Sequence, residues 1–369
     1  MLKYDCKYFS GEKPCKFHKE FQIKCDSCNY YQPIRFKILI IKLDAIGDVL
    51  RTTSILPALK LKYPDSHITW CTKNNAKKLF EGNELVDDVI TIEDDVKIRL
   101  SAEEYDIVLS LDSSKLSSSI AAISKGKEKR GFVLNKNGSV IPTSKEAEYW
   151  LSMSAFDDIK KKNKKTYQEI IYNVAGLEGK IARPILIIPD GLTELKENQL
   201  IKNGFKPGIK TVGMNVGVGN KWPNKGWAKK NWIEFLTLLI DKKLNILLLG
   251  GPDEQIFMDE LSGRFEFIIN TGFDNNIKEF TALVNLCDVV ITADTFALHV
   301  ASAMNKRIIA MFGPTSMAEV DLYEDGIKLH SGDECKCYYN KVCTEKISCM
   351  EQISAEKVYS ALISLIQQK

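Results

Sequence analysis

The sequence predicts an α/β protein made of two domains, each a parallel sheet of βα units. Three observations predict it. Short, continuous apolar runs alternate with amphipathic stretches of helical period, as strands buried on both faces of a parallel sheet require. The βα pattern lapses across residues 181–207, where three prolines fall, and then restarts. The 369 residues also suffice for two domains with separate cores.

Along the chain, residues 1–34 form a Cys-, aromatic- and Lys-rich extension with no helical or strand period, closed by Pro33. The first domain is expected over 35–190. It opens with an apolar strand at 36–42, a turn at 43–47 and an amphipathic helix from Asp48 to about Tyr63, stopped by Pro64. Further short strands are expected at 68–72, 89–92, 107–111 and 131–134. The second domain is expected over 191–353, with strands at 211–216, 245–249 (followed by Gly250 and Gly251), 267–270, 289–292 and 307–312. Residues 354–369 read as a terminal amphipathic helix with Val358, Ala361, Leu362 and Leu365 on one face. Two such domains are expected to face a cleft at the carboxyl ends of their strands, where open α/β sheets take their ligands.

Composition narrows the function classes. At 44% hydrophobic and 27% charged residues the chain reads as soluble and globular. Lys and Arg number 51 against 48 Asp and Glu, and a net charge of +3 gives no case for nucleic acid. No apolar run approaches the roughly 18 residues of a membrane span, and the amino terminus lacks a signal-peptide core, so a cytoplasmic protein is expected.

The segment 291–315 carries the most chemistry. A strand ends at Thr292, Asp294 and Thr295 form the turn and N-cap, and a helix is expected over 297–304. The free N–H groups and dipole of such a helix start attract anions. A second apolar run at 307–312 leaves the sheet through Gly313-Pro314-Thr315. A phosphate-bearing ligand fits this arrangement, although any strand-helix-strand unit shares its outline.

Three ordered stretches carry a resemblance: residues 37–53, with Gly47-Asp48 and Leu56-Pro57 just beyond; residues 215–227, with Trp222-Pro223-Asn224-Lys225; and Asp294-Thr295 through Gly313-Pro314-Thr315-Ser316. Together the chain resembles the glycosyltransferase family 9 heptosyltransferases over about 36–355. The resemblance implies a GT-B fold of two Rossmann-like domains around a cleft. It also implies transfer from a nucleotide-activated sugar, ADP-heptose in the best-known members, to lipopolysaccharide core.

By the same resemblance Asp48 is the catalytic base and Lys225 the phosphate-contacting lysine. A carboxylate can accept an acceptor hydroxyl's proton while the sugar centre inverts, and an ammonium can neutralise the leaving diphosphate without a required cofactor. Helix capping is the alternative role for Asp48, and a solvated loop the alternative for Lys225. Gly47 permits a tight turn beside the substrate, and Asp44 in the same turn is a second candidate for base or acceptor contact. Asn215, Gly217 and Gly219 would form the loop against the nucleotide. Asp294, Thr295 and His299 match the donor-binding signature, with Phe296 where the family's usual residue is glycine. His299 fits a structural role inside its helix equally well.

The ten cysteines cluster. Cys6, Cys15, Cys25 and Cys28 supply enough ligands for a structural metal, with zinc favoured over an iron–sulfur cluster because an extension with little core gains folding free energy from it. Cys335, Cys337, Cys343 and Cys349 make a second set, and sequence leaves one shared site, two sites or none open. Cys71 and Cys287 read as small buried hydrophobes.

The function expected is that of an inverting glycosyltransferase with a nucleotide-sugar donor and a glycolipid or glycan acceptor. The lysine run 160–165 offers peripheral contact with the inner membrane or an acidic glycolipid, against the simpler reading of a solvated loop. Alternatives are another donor or glycan, or a catalytically silent metal-organised binding protein. A dinucleotide-dependent oxidoreductase is disfavoured, because no Gly-x-Gly-x-x-Gly follows the first strand.

Overall fold

A computed structural model describes all residues except 94–95, 221, 333–334, 341 and 368–369. Lys221 of the second signature and the last two residues of the expected terminal helix thus lie outside the described residues. The chain divides into two compact units: residues 1–45, 54–151 and 169–182, and residues 46–53, 152–168 and 183–369.

The first unit holds a six-stranded sheet: β1 (Phe36–Ile41), β2 (Ser66–Thr72), β3 (Asp88–Thr91), β4 (Glu104–Ser110), β5 (Lys125–Leu134) and β6 (Val140–Pro142). The order is β3-β2-β1-β4-β5-β6, and all pairings are parallel except that of β6 on β5. Ile38, Leu39, Ile40 and Ile41 are fully buried, which explains the unbroken apolar run: side chains on both faces of β1 leave water. The amino-terminal extension is less featureless than its composition suggests. It forms a helix at Lys16–Phe21 with no buried residue, and Phe17 stacks on Tyr30 with ring centroids 4.0 Å apart.

The second unit holds β7 (Thr211–Asn215), β8 (Asn245–Leu249), β9 (Ile268–Asn270), β10 (Val289–Ala293), β11 (Arg307–Met311) and β12 (Gly326–Leu329). Their order is β12-β11-β10-β7-β8-β9, parallel throughout. The helix Ala355–Gln367 joins this core through Val358, Leu362 and Leu365, beside Trp232, Phe235 and Ile309. Strand β12 escapes sequence reading because Gly326-Ile-Lys-Leu329 is only four residues long, too short for its alternation to stand out.

The helix expected from Asp48 to Tyr63 is in fact two, Ile46–Thr52 and Leu56–Lys62, joined by the single tight turn Thr53–Ile55. Pro57 explains the break. It has no N–H to donate to the carbonyl of Thr53, and its ring would press on that carbonyl in a continuous helix. Cys71 and Cys287 are buried, and burial pushes both thiols up to about 12, as unreactive packing residues.

Candidate functional site

The second unit brings together most of the expected residues. The helix Ile46–Thr52 carries Asp48 and packs with it, against the helix Phe296–Ala303 that carries His299. Gly47 makes the approach feasible: a Cβ there would come within 2.8 Å of His299 Cδ2 and 3.6 Å of Phe296 Cα. Its role is close helix packing as much as the turn expected from sequence.

Asp48 accepts a hydrogen bond from Arg51, Oδ1 to Nη2 2.8 Å, one turn along the same helix. The Arg51 guanidinium is largely buried and lies 3.6 Å from the Tyr167 ring centroid. Tyr167 is fixed in turn: its hydroxyl lies 2.7 Å from Thr52 Oγ1, and its backbone N–H donates to the Glu319 carbonyl at 3.0 Å. The carboxylate of Asp48 is therefore held from behind, with its side chain 34% exposed and open to a reactant.

Lys225 sits in the short turn Pro223–Lys225, its Nζ 3.1 Å from Asp294 Oδ2 and 3.2 Å from the Asp294 carbonyl. Burial pushes the Asp294 carboxyl up, but Lys225, with His299 and Arg51 behind it, overcomes this and holds it below its ordinary value. Lys225 is 17% exposed in its side chain, so it is no solvated loop lysine.

Thr295 occupies the N-cap of the helix Phe296–Ala303 without capping it. Its hydroxyl instead lies 3.0 Å from Thr292 Oγ1 and accepts from Asn215 Nδ2 at 3.3 Å. The helix-start N–H groups are thus left uncovered by that side chain, which suits an incoming anion. Asn215 also donates to the Gly217 carbonyl at 2.8 Å, pinning the strand-end loop. Gly217 has no room for a side chain, since a Cβ would fall 2.5 Å from Glu254 Cδ, and Gly219 adopts φ +66°. Glu254, which sequence reading overlooked, accepts from the N–H groups of Gly219 (3.3 Å) and Gly251 (2.9 Å) and ties the loop after β7 to the one after β8.

Two further charged residues, Lys160 and Glu319, interact electrostatically with Asp48. Lys160, the first of the lysine run, is not a solvated charge: its Nζ lies 3.5 Å from the Tyr339 ring centroid and 3.8 Å from Glu319 Oε1. Burial pushes the Lys160 amine down and the Glu319 carboxyl up. Lys162 of the same run is exposed. Asp44 belongs to the first unit, where it pairs with Lys73.

Burial, followed by repulsion from Arg51, pushes the His299 imidazole from 6.5 down to about 4 against the pull of Asp294 and Asp48. Between those pH values the unfolded chain takes up a proton that the folded ring refuses. Stability contributed by neutral His299 is therefore complete above the unfolded pKa and falls as the pH drops toward the folded one. Lowering the pH from 7 to 5 should cost about 2 kcal/mol at this group. Thermal melts of wild type and His299→Gln at both pH values check it: the variant should lose less stability over that interval, and equal losses would contradict the burial argument.

Cys6, Cys15, Cys25 and Cys28 all line one cavity of about 20 Å³ in the first unit, walled by Phe9, Phe17 and Tyr30. Among the described residues, no group of three or more His, Cys, Asp or Glu is already arranged to hold a metal ion.

Comparison with known proteins bears on this site directly. Residues 194–350, which contain Lys225, Asp294 and His299, match the sequence model of glycosyltransferase family 9 (heptosyltransferase). Lipooligosaccharide heptosyltransferase 2 of Haemophilus influenzae is 26% identical over 312 residues, covering 76% of this chain and 84% of that protein. Among solved structures, the glycosyl transferase family 9 protein of Veillonella parvula superposes with a TM-score of 0.77 at 19% identity, covering 91% of this chain and 98% of its own. The Escherichia coli ADP-heptose LPS heptosyltransferase II gives 0.68 at 19% identity, with 90% and 99% covered. Two parallel-sheet units with this likeness are the GT-B class expected from the sequence, and the enzyme they define is a glycosyltransferase. Residues 194–350 are similar to glycosyltransferase family 9, and the chain as a whole resembles its heptosyltransferases.

Proposed function

We propose that the chain transfers heptose from ADP-heptose, with inversion, to the core of a lipooligosaccharide or lipopolysaccharide. The observation that carries this reading is the pairing of Lys225 with Asp294 in the same unit as the partly exposed Asp48 carboxylate. The relatives named above supply the donor and acceptor classes.

In this mechanism an acceptor hydroxyl oxygen attacks the anomeric carbon from the face opposite the diphosphate. Asp48 takes the hydroxyl proton as the new C–O bond forms. The bond from the anomeric carbon to the phosphate oxygen breaks, and ADP departs with the bonding pair. Lys225 neutralises the charge gathering on that phosphate, exchanging its contact with Asp294 for one to the leaving group. Arg51 orients Asp48 from the buried side, and the Tyr167 ring keeps Arg51 in place.

The acceptor is a membrane glycolipid in this reading, and the enzyme works at the cytoplasmic membrane face. Among the described residues no helix is long and apolar enough to cross a membrane. The four amino-terminal cysteines, gathered on one cavity, serve as a structural zinc site outside the chemistry.

Phe296 stands where the family's usual residue is glycine, and its ring, 6.0 Å from that of Phe280, adds bulk at the helix start, so the donor is the part of this reading to test first. A panel of ADP-, GDP- and UDP-sugars, assayed for release of the nucleoside diphosphate, tests the donor. Release from ADP-heptose in preference to the others is expected; preference for another sugar nucleotide would overturn the donor assignment while leaving the GT-B fold untouched.

A further inference from the structure

The second cysteine set lies outside the chemistry just described, yet its thiols meet in pairs. Cys335 and Cys349 stand with their sulfurs 3.4 Å apart. Cys343 shares a hydrogen bond with Cys337, so the four thiols meet as two pairs. The backbone N–H of Thr344 donates to Cys337 Sγ at 3.1 Å, and Thr344 Oγ1 lies 3.6 Å from the same sulfur. Gly313 makes space for this arrangement, because a Cβ there would fall 2.8 Å from Cys349 Sγ.

The segment that carries the thiols needs an anchor. Among the described residues between Leu329 and Ala355 there is no helix or strand, so their backbone has little regular hydrogen bonding to fix it. It nonetheless holds Tyr339 firmly. The Tyr339 N–H donates to the Pro314 carbonyl at 2.8 Å, and its hydroxyl accepts from the Ser316 N–H at 3.3 Å. Its ring lies under Lys160 and edge-on to Trp222, centroids 6.3 Å apart.

We propose that Cys335, Cys337, Cys343 and Cys349 form a tetrathiolate zinc site that fixes the Tyr339 loop beside the Trp222–Lys225 turn. Four sulfurs bound at 2.3 Å around a tetrahedral ion stand about 3.8 Å from one another, and the Cys335–Cys349 separation is already close to that edge. Metal-free, the thiols pair with one another and do not yet surround a common point. Binding exchanges these weak S–H contacts for four Zn–S bonds and releases four protons to solvent. The Thr344 N–H donates to a sulfur, as outer-shell donors do to metal-bound thiolates. Two separate disulfides would need only two independent pairs. All four cysteines fall within residues 335–349, and the Thr344 N–H donor on Cys337 suits a metal-bound thiolate, which favours one four-membered centre.

Alkylation of the full-length, reduced wild-type chain by iodoacetamide, with and without added zinc, tests the proposal by peptide mapping and needs no variant to fold. Zinc should protect Cys335, Cys337, Cys343 and Cys349 together, slowing the alkylation of all four, because a metal-bound thiolate is no longer a free nucleophile. A second measurement separates this site from the amino-terminal one. The Cys25→Ser/Cys28→Ser chain should retain one zinc through desalting, and adding Cys335→Ser/Cys349→Ser should remove it. Equal alkylation with and without zinc, zinc retention indifferent to Cys335 and Cys349, or isolation of these cysteines as disulfides would each overturn the proposal. Because the readout is metal and thiol reactivity, it stands or falls separately from the donor and acceptor assignment.

Discussion

Replacing Asp48 with alanine should lower the turnover number by about 10²–10⁴-fold, the usual contribution of a positioned general base. ADP affinity should stay at the wild-type level. The split follows from the site, in which Asp48 lies on the helix Ile46–Thr52 while the Lys225–Asp294 pair lies after β7 and β10. One complication can be separated. Asp48 also partners the largely buried Arg51, so its removal strands a cation and destabilises the helix. Asp48→Asn keeps an oxygen that can accept from Arg51 Nη2 but cannot take a proton at neutral pH. It should match the alanine variant in lost activity while melting close to wild type. Full turnover by Asp48→Asn would mean that another group takes the acceptor's proton.

Lys225→Ala should weaken both steps. Turnover should fall by about 10²–10³-fold, the scale for losing one preorganised group at a developing charge, and the donor KM should rise with it. The reason lies in the electrostatics of Asp294, whose buried carboxylate depends on Lys225 to remain below its ordinary pKa. Without the lysine an unpaired acidic group sits where a diphosphate must approach, so loss of attraction is compounded by repulsion. Lys225→Arg should recover part of the affinity, because it restores the charge but spreads it over a planar fork. Kinetics over a range of donor concentrations check both. An unchanged KM in Lys225→Ala would place the diphosphate elsewhere.

Much of this molecule can be read from its residues, for identifiable reasons. Strands such as β1, β8 and β11 are unbroken apolar runs because they are buried on both faces, and a period-based reading finds them. The strand β12 and the helix Lys16–Phe21 lack that signal, the one because four residues carry too short a pattern and the other for having no buried face. The Pro57 break was available in principle, since proline's missing N–H and ring clash act locally.

The site divides along the same line. Asp48, Lys225, Asp294 and His299 fall within short recognisable stretches. Arg51, three residues after Asp48, could have been found from helix geometry alone. Tyr167, Lys160, Glu319 and Tyr339 could not, because they reach Arg51 and Asp48, directly or through one another, only by tertiary packing across more than a hundred residues of sequence. Lys160 is the instructive case. A run of lysines reads as a solvated face, yet its first member is buried between an aromatic ring and a carboxyl. The Thr295 hydroxyl likewise turns to Thr292 and Asn215 because those groups are presented by neighbouring strands, which local capping rules do not register.

The most direct test of the central claim is transfer from ADP-heptose to a heptose-deficient lipopolysaccharide core, with wild type and Asp48→Asn assayed side by side and the product's anomeric configuration determined. The account predicts a heptosylated product of inverted configuration from wild type and almost none from Asp48→Asn. A product of retained configuration, or equal product from both proteins, would contradict it.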